Sequence, residues 1–403
     1  MNVDRLPNVI LLTDHLISFA HGTGASLLRH FAEYPENKLL NLYLFDRGTA
    51  RLARNIRCEP RRSIKYLFRL TYSLRDPIQA RTVRDRLDRF AFSSAHLRKQ
   101  IELLDFVPDV IYSVGCTNPA FELLFSLVHA YKGKVPVIHH FLDYLRYGSH
   151  VPDTVMQRLS PHLSEIWSLT ENLSQEMKPL LERDIQIVRV LKCDIRPSYK
   201  TEHHEFNSDF KVVMTGNCWL PNLLSDISTA WRWVGEQLGG IGPIDWLCHP
   251  DSIAHVKKRG VQIGSEIQPR GHYLPEEQFY QELQQADMTI IAFNRELIPE
   301  GDYARFSLPS RITELANVGL PMFVAAGPQT ETERYVKRTG IGVCALPSNP
   351  EHFRQSLLDF IKNRELRAKC GMNARQLAVD EFDIQQYRTF LYGKLSSIAK
   401  SRN

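Results

Sequence analysis

The 403-residue sequence lacks a paired-cysteine framework: its seven cysteines, Cys58, Cys116, Cys193, Cys218, Cys248, Cys344 and Cys370, are odd in number and nowhere spaced C-x-x-C. That argues against a secreted disulfide scaffold and a zinc ribbon, and a reducing, cytoplasmic setting fits best. Long apolar runs are also missing. Val9–Leu12 stops at Thr13-Asp14, too short for a signal-peptide core, and the nearly uncharged stretch 110–131 is broken by Asn118-Pro119 and Glu122, so it reads as strand, turn and helix. No internal repeat or low-complexity tract is visible, which excludes a solenoid. With 43% hydrophobic and 24% charged residues, the chain is not disordered, collagenous or a coiled coil.

What is present is a local excess of charge. Residues 51–100 carry 14 Lys and Arg against 4 Asp and Glu, a local +10 that leaves the remainder of the chain at −5. Arg61, Arg62, Lys65 and Arg69 interleave with Leu67, Phe68 and Tyr72. The segment reads either as a solvated helix face or as an amphipathic patch for an anionic membrane surface or acidic glycan. No DNA- or RNA-binding signature accompanies it, so nucleic acid is not an expected partner.

Short β-rich runs alternate with helical patterns over the whole chain. Asn8–Leu12, Asn41–Phe45, Pro108–Val114, Pro136–Ile138, Glu165–Leu169 and Ile185–Val190 read as strands, with helices at 26–33 and 119–131 among them. Such alternation implies a parallel sheet, because parallel neighbours need a crossover of a dozen or more residues. The polar stretch 196–209 then reads as a linker, after which the alternation restarts at Phe210–Thr215 and runs through Met288–Ala292, Pro321–Ala325 and Gly342–Ala345. The expected organisation is an N-terminal Rossmann-like domain (1–195), the linker (196–209), a second Rossmann-like domain (210–378) and a C-terminal helix (379–403) packing back on the first domain. Ligands of such domains bind at the carboxyl ends of the strands, here toward a shared cleft.

The most informative segment is 305–342. Ser307-Leu308-Pro309-Ser310 leads into a helix expected from about Arg311 to Val318, with Gly319 as its C-terminal cap and Pro321 opening the next strand. Pro309 and Ser310 stand where the first N–H groups of that helix point outward, a place suited to a diphosphate. Glu314 lies four residues from Ser310, one turn along, and its carboxylate suits the vicinal diol of a ribose.

The run P-S-R-I-T-E-L-A-N-V-G-L-P resembles the nucleotide-binding signature of GT-B glycosyltransferases, in particular the retaining group called glycosyltransferase family 4. Glu331 and Glu333 with Gly340-Ile341-Gly342 are similar to the stretch that follows it there, and Ala286-Asp287 before Met288–Ala292 is similar to the family's A-D-V strand. The resemblance covers about 285–345 well and the rest of the chain weakly. It implies that Glu314 binds the donor ribose, that backbone amides near Pro309 and Ser310 hold the diphosphate, and that Gly22-Thr23-Gly24, between the first strand and its helix, is the glycine loop facing donor phosphate and acceptor. Leu27 at the last position of that turn leaves G-x-G-x-x-G incomplete, which argues against a nicotinamide dehydrogenase.

Two departures stand out. The family's second Glu, eight positions before Glu314, is Phe306 here, leaving Glu300 as a substitute; and the Arg and Lys that usually follow the first strand of the second domain are replaced by Gly216-Asn217-Cys218-Trp219. Arg311, Arg305 or Arg295 would then supply the diphosphate's countercharge. At the end of the Pro136 strand, His139-His140 and Asp143-Tyr144 match the place of a family histidine and aspartate beside the transferred sugar; His140 and Asp143 are the catalytic candidates, with His139 or Leu142 at the histidine position in other alignments. No metal site and no cofactor are expected, and the absence of D-x-D disfavours a metal-chelated donor. The implied activity is transfer of a sugar, with retention, from a nucleotide-sugar donor to a hydroxyl of a saccharide or lipid-linked acceptor, in the cytoplasm or at the inner face of a membrane. A catalytically impaired scaffold and a sugar-nucleotide epimerase of the same architecture are the alternatives.

Overall fold

The computed structural model describes residues 5–17, 22–45, 54–59, 92–142, 153–200, 204–216, 220–248, 250–270, 276–293, 305–328 and 330–401, with 49, 52 and 202 as isolated positions. The chain divides into two compact units, Met1–Val190 with Gln385–Asn403, and Leu191–Ile384.

The first unit runs β1 (Val9–His15), α1 (Gly22–His30), β2 (Leu39–Phe45), β3 (Asn55–Arg57), α2 (Ser94–Glu102), β4 (Val110–Ser113), α3 (Asn118–Ala130), β5 (Val137–Phe141), α4 (Asp153–Leu159), β6 (Glu165–Ser168), α5 (Glu171–Leu181) and β7 (Gln186–Ile187). Its seven strands lie in the order β3-β2-β1-β4-β5-β6-β7, every pair parallel. Helical crossovers cover both faces, so β4 and β5 are buried at every position and read as near-continuous apolar runs. Helix starts are set by threonines: the hydroxyls of Thr117 and Thr170 accept from the amides of Ala120 and Leu173. Strand β3 was not expected. It is three residues of the basic segment with Ile56 as its single apolar side chain, too short to show a period, and only its pairing with Asn41–Tyr43 defines it.

The second unit runs β8 (Val212–Thr215), α6 (Pro221–Leu238), β9 (Ile244–Leu247), α7 (Pro250–Lys258), β10 (Ile267–Pro269), α8 (Glu276–Gln285), β11 (Met288–Ala292), α9 (Ile312–Asn317), β12 (Met322–Ala325), α10 (Glu331–Thr339), β13 (Gly342–Ala345), α11 (Pro350–Lys362) and α12 (Arg364–Glu381). Its six parallel strands are ordered β10-β9-β8-β11-β12-β13 around a core that includes Trp231, Trp246, Phe323, Phe353 and Phe360. The aspartate before β11 is structural: Asp287 accepts from the Lys211 amide at 2.9 Å and pairs with Lys200 at 3.2 Å, both side chains nearly buried.

The segment from Leu191 lies inside this unit. Cys193 bridges Asp383, and Lys200 donates its amide to the Val318 carbonyl, so the beginning of the polar stretch 196–209 is laced to the second sheet's helices. The last helix, α13 (Ile384–Lys400), packs on the first unit as expected: Arg388 donates to the Arg29 carbonyl at 2.9 and 2.7 Å, Tyr392 to the His30 carbonyl at 2.9 Å, and Lys394 pairs with Glu165 at 3.2 Å.

Candidate functional site

In the second unit the strand order reverses between β8 and β11, and the carboxyl ends at such a reversal are where open α/β sheets take ligands. Strand β8 ends at Thr215, and Gly216 turns the chain with φ +77°, a conformation that glycine adopts at no steric cost. The Trp246 indole on β9 holds this turn by donating to the Gly216 carbonyl at 2.9 Å, while the Gly216 amide donates to Leu247 at 2.9 Å. Across the turn lies Arg311. Its guanidinium donates to the Thr215 carbonyl, and a Cβ added to Gly216 would stand 3.0 Å from Arg311 Cζ. Of the arginines expected to replace the missing cations, Arg311 is brought to the end of β8. Arg305 is exposed, 5.4 Å from the Phe306 ring, and Arg295 and Asn217 lie outside the described residues.

Helix α9 is shorter than the spacing suggested, six residues instead of about eight, because Pro309–Arg311 form a turn before it. The amides of Ile312 and Thr313 donate to the Pro309 and Ser310 carbonyls, at 3.1 Å each. At the other end Gly319, φ +70°, stops the helix as its position implied; an added Cβ would meet the Lys200 carbonyl at 3.2 Å. Pro309 is buried, Ser310 exposed, and Arg311 and Glu314 are half-buried. The Thr313 hydroxyl lies 2.8 Å from both the Ser310 carbonyl and a Glu314 carboxylate oxygen, so its single proton serves one of them at a time. The structure thus brings Arg311 against Gly216 at the end of β8, with Ser310 and Glu314 linked to each other through Thr313 on the adjoining turn and helix.

Phe306, at the place of the absent glutamate, is buried. Ser307 after it is buried as well, its carbonyl accepting from Thr332 at 3.1 Å and its own hydroxyl without a partner among the described residues. Glu331, also buried, is paired with Arg334 at 3.0 Å, so it opens α10 as a structural carboxylate. Glu300 lies outside the described residues.

In the first unit the order reverses between β1 and β4. The residue that governs this point is Asp14, which the sequence showed only as the end of an apolar run. Its carboxylate accepts from the amides of Cys116 at 2.7 Å and Thr117 at 3.3 Å and from the Thr117 hydroxyl, so the N-terminal end of α3 is already occupied by a protein carboxylate. Gly22-Thr23-Gly24 forms the first turn of α1 and does not stand in a loop before it.

His140 is fully buried on β5. Its Nε2 lies 2.8 Å from the Val188 carbonyl, which can only accept, so Nε2 carries the proton and Nδ1 accepts from the Tyr112 hydroxyl at 2.8 Å. Burial pushes its pKa down to about 3. Both ring nitrogens are engaged inside the fold, so the ring as placed locks β5 to its neighbours and offers a sugar nothing. His139 points to the opposite face, between Phe121 and Phe141, with Nδ1 3.1 Å from the Ser113 hydroxyl. Its pKa also falls to about 3, through burial and then the neighbouring His140. Asp143 lies outside the described residues, as does most of the basic segment, including Arg61, Arg62 and Arg69. Among the described residues, no three His, Cys, Asp or Glu side chains gather as a metal site, and no helix is long and apolar enough to cross a membrane.

No family model matches the chain, and no curated protein matches it in sequence. Solved structures do match over nearly its full length. It is similar to Anabaena HepE in complex with UDP, with TM-score 0.61 and 13% identity over 97% of this chain and 100% of that one. It is similar to a glycosyltransferase from Rickettsia africae, with TM-score 0.61 and 10% identity over 98% and 99%. A third is a protein from Listeria monocytogenes described as a putative UDP-N-acetylglucosamine 2-epimerase, with TM-score 0.56 and 11% identity over 97% and 96%. These likenesses establish the fold: two parallel-sheet α/β units of the GT-B class, shared with glycosyltransferases.

Proposed function

We propose that the protein is a glycosyltransferase that moves a sugar from a nucleotide-sugar donor to a hydroxyl of a saccharide or lipid-linked acceptor, with retention and without metal or cofactor. The observation that carries this reading is the position of Arg311 against Gly216 at the β8/β11 reversal, one turn before Glu314. A guanidinium there meets the diphosphate, with the amides near Pro309 and Ser310 beside it, and Glu314 accepts from the ribose hydroxyls. When the glycosidic bond to the diphosphate breaks, negative charge grows on the leaving group, and a fixed cation in a water-poor site lowers the barrier most at that moment. A UDP-sugar is the first donor to test, since HepE was solved with UDP.

The first unit is assigned the acceptor, with Gly22–Gly24 and Asp143 as its sugar-side residues and His140 as the residue that fixes the strand leading to Asp143. The +10 of residues 51–100 supports an anionic or membrane-borne acceptor met at the cytoplasmic face. Reversing Arg61, Arg62 and Arg69 together then weakens binding to anionic vesicles and leaves nucleotide affinity unchanged.

The likeness to the Listeria protein favours one second reading, a sugar-nucleotide epimerase. Incubation with UDP-, GDP- and dTDP-hexoses, with and without a saccharide or lipid-linked acceptor, separates the readings. Nucleotide release that requires acceptor supports transfer. Conversion of donor without acceptor supports the epimerase, and no binding of any donor leaves a scaffold in which Phe306 replaces a lost sugar contact.

A further inference from the structure

We propose that Asn317 and Arg375 are positioning residues for the nucleotide site: they set where Arg311 and Glu314 stand by clamping the far end of α9. The inference rests on the reading of α9 as the nucleotide element. A six-residue helix is too short to hold itself in water, so its placement comes from what grips it.

The grip is built at Asn317, which is fully buried in the last turn. Its amide nitrogen donates to the Asp194 carbonyl at 2.8 Å, and its side-chain oxygen accepts from the Arg196 amide at 3.1 Å and from Arg375 at 3.0 Å. The same Arg375 nitrogen donates to the Asn317 carbonyl at 2.6 Å. The other terminal nitrogen donates to the Arg196 carbonyl at 2.6 Å, and the guanidinium lies 4.6 Å from the Tyr199 ring. Arg375, on α12, therefore ties α9 to the strap 193–200, which also touches the helix through the Cys193 thiol to the Thr313 carbonyl at 3.8 Å and the Lys200 amide to Val318 at 2.9 Å.

Both polar atoms of the Asn317 side chain are used. What they fix is the tilt and rotation of the whole helix. Glu314 stands about 4.5 Å along the axis from Asn317, so a loosened clamp moves the carboxylate off the ribose without removing a ligand contact. Misplacement of a binding group by about 1 Å costs up to ~10²-fold in function.

The test is calorimetric titration of UDP-glucose into wild type, Arg375→Ala, Arg375→Lys and Asn317→Asp, with thermal unfolding of each protein without ligand. Asn317→Asp keeps the oxygen that accepts from Arg196 and Arg375 but sets a carboxylate oxygen against the Asp194 carbonyl where the amide donated. The expected result for Arg375→Ala is a Kd raised about tenfold or more at unchanged stoichiometry. Lysine should fail to rescue it, because one ammonium cannot span the two carbonyls that the guanidinium fork reaches, and Asn317→Asp should fall between. A lowered melting temperature or reduced binding stoichiometry with wild-type Kd in the folded fraction would make the clamp merely structural and overturn the proposal. Wild type that binds no nucleotide sugar removes the nucleotide reading itself, a failure distinct from wild type and variants binding alike.

Discussion

The guanidinium of Arg311 packs across the Cα of Gly216 and donates to the carbonyl of Thr215, so a cation and a left-handed turn share one place at the end of β8. Each member constrains the other. A side chain at position 216 is strained by its φ and displaces the guanidinium by contact.

A double-mutant cycle measures this. Gly216→Ala should destabilise the second unit by about 1–2 kcal/mol from the left-handed backbone alone, and it should weaken nucleotide binding by shifting Arg311. In an Arg311→Ala background the backbone strain persists but the effect on binding disappears, so the two substitutions are non-additive for affinity. Isothermal titration together with denaturant unfolding reads both quantities.

Glu122 on α3 is buried and pairs with Arg158 on α4 at 2.5 Å, while the guanidinium stacks 4.0 Å from the Phe125 ring. Arg158→Ala removes a charged partner from this buried carboxylate and should cost about 3 kcal/mol, the lower end for broken buried pairs because Arg158 is partly exposed. Glu122→Gln in that background should recover much of the loss, since a neutral amide is cheaper to bury than a carboxylate. Equal stability of the single and double variants in urea unfolding would refute this account of the pair.

Acid should weaken the first unit through its paired histidines. His139 and His140 have pKa values near 3 in the folded protein against an ordinary value of 6.5. Between these values the unfolded chain binds more protons than the folded one, so stability falls as the pH drops through about 6.5 toward 3, by up to ~1.4 kcal/mol per pH unit for each group. Above pH 7 both are neutral in either state and contribute no slope. His139→Phe, packed between Phe121 and Phe141, should reduce the proton uptake on unfolding near pH 5 by about one. An unchanged pH dependence of unfolding would contradict the burial of the neutral ring.

The alternation of strands and helices made both sheets legible, because buried parallel strands are short apolar runs and little else produces them. The exit of α9 was legible for a similar reason, because Gly319 obeys a local rule of helix termination, whereas its start was not, because Pro309–Arg311 form a turn ahead of it. Asp14 was not, since a carboxylate that caps α3 from β1 reaches across about a hundred residues of chain and leaves no local pattern. The clamp on α9 was hidden in the same way, its partners coming from 194–196 and 375. His140 shows the opposite failure. A histidine at a strand end suggests chemistry, but only the three-dimensional placement of Tyr112 and the Val188 carbonyl reveals that both nitrogens are engaged.

On the reading proposed above, the α9 end of the second sheet binds a nucleotide sugar through Glu314. Titration of UDP-glucose into wild type and Glu314→Gln, an exchange that keeps size and removes the charge accepting from the ribose, tests it most directly. Saturable one-to-one binding by wild type is expected, with an affinity at least about tenfold weaker in the variant, as for loss of a charge-assisted pair. Binding that is unchanged by Glu314→Gln would contradict it.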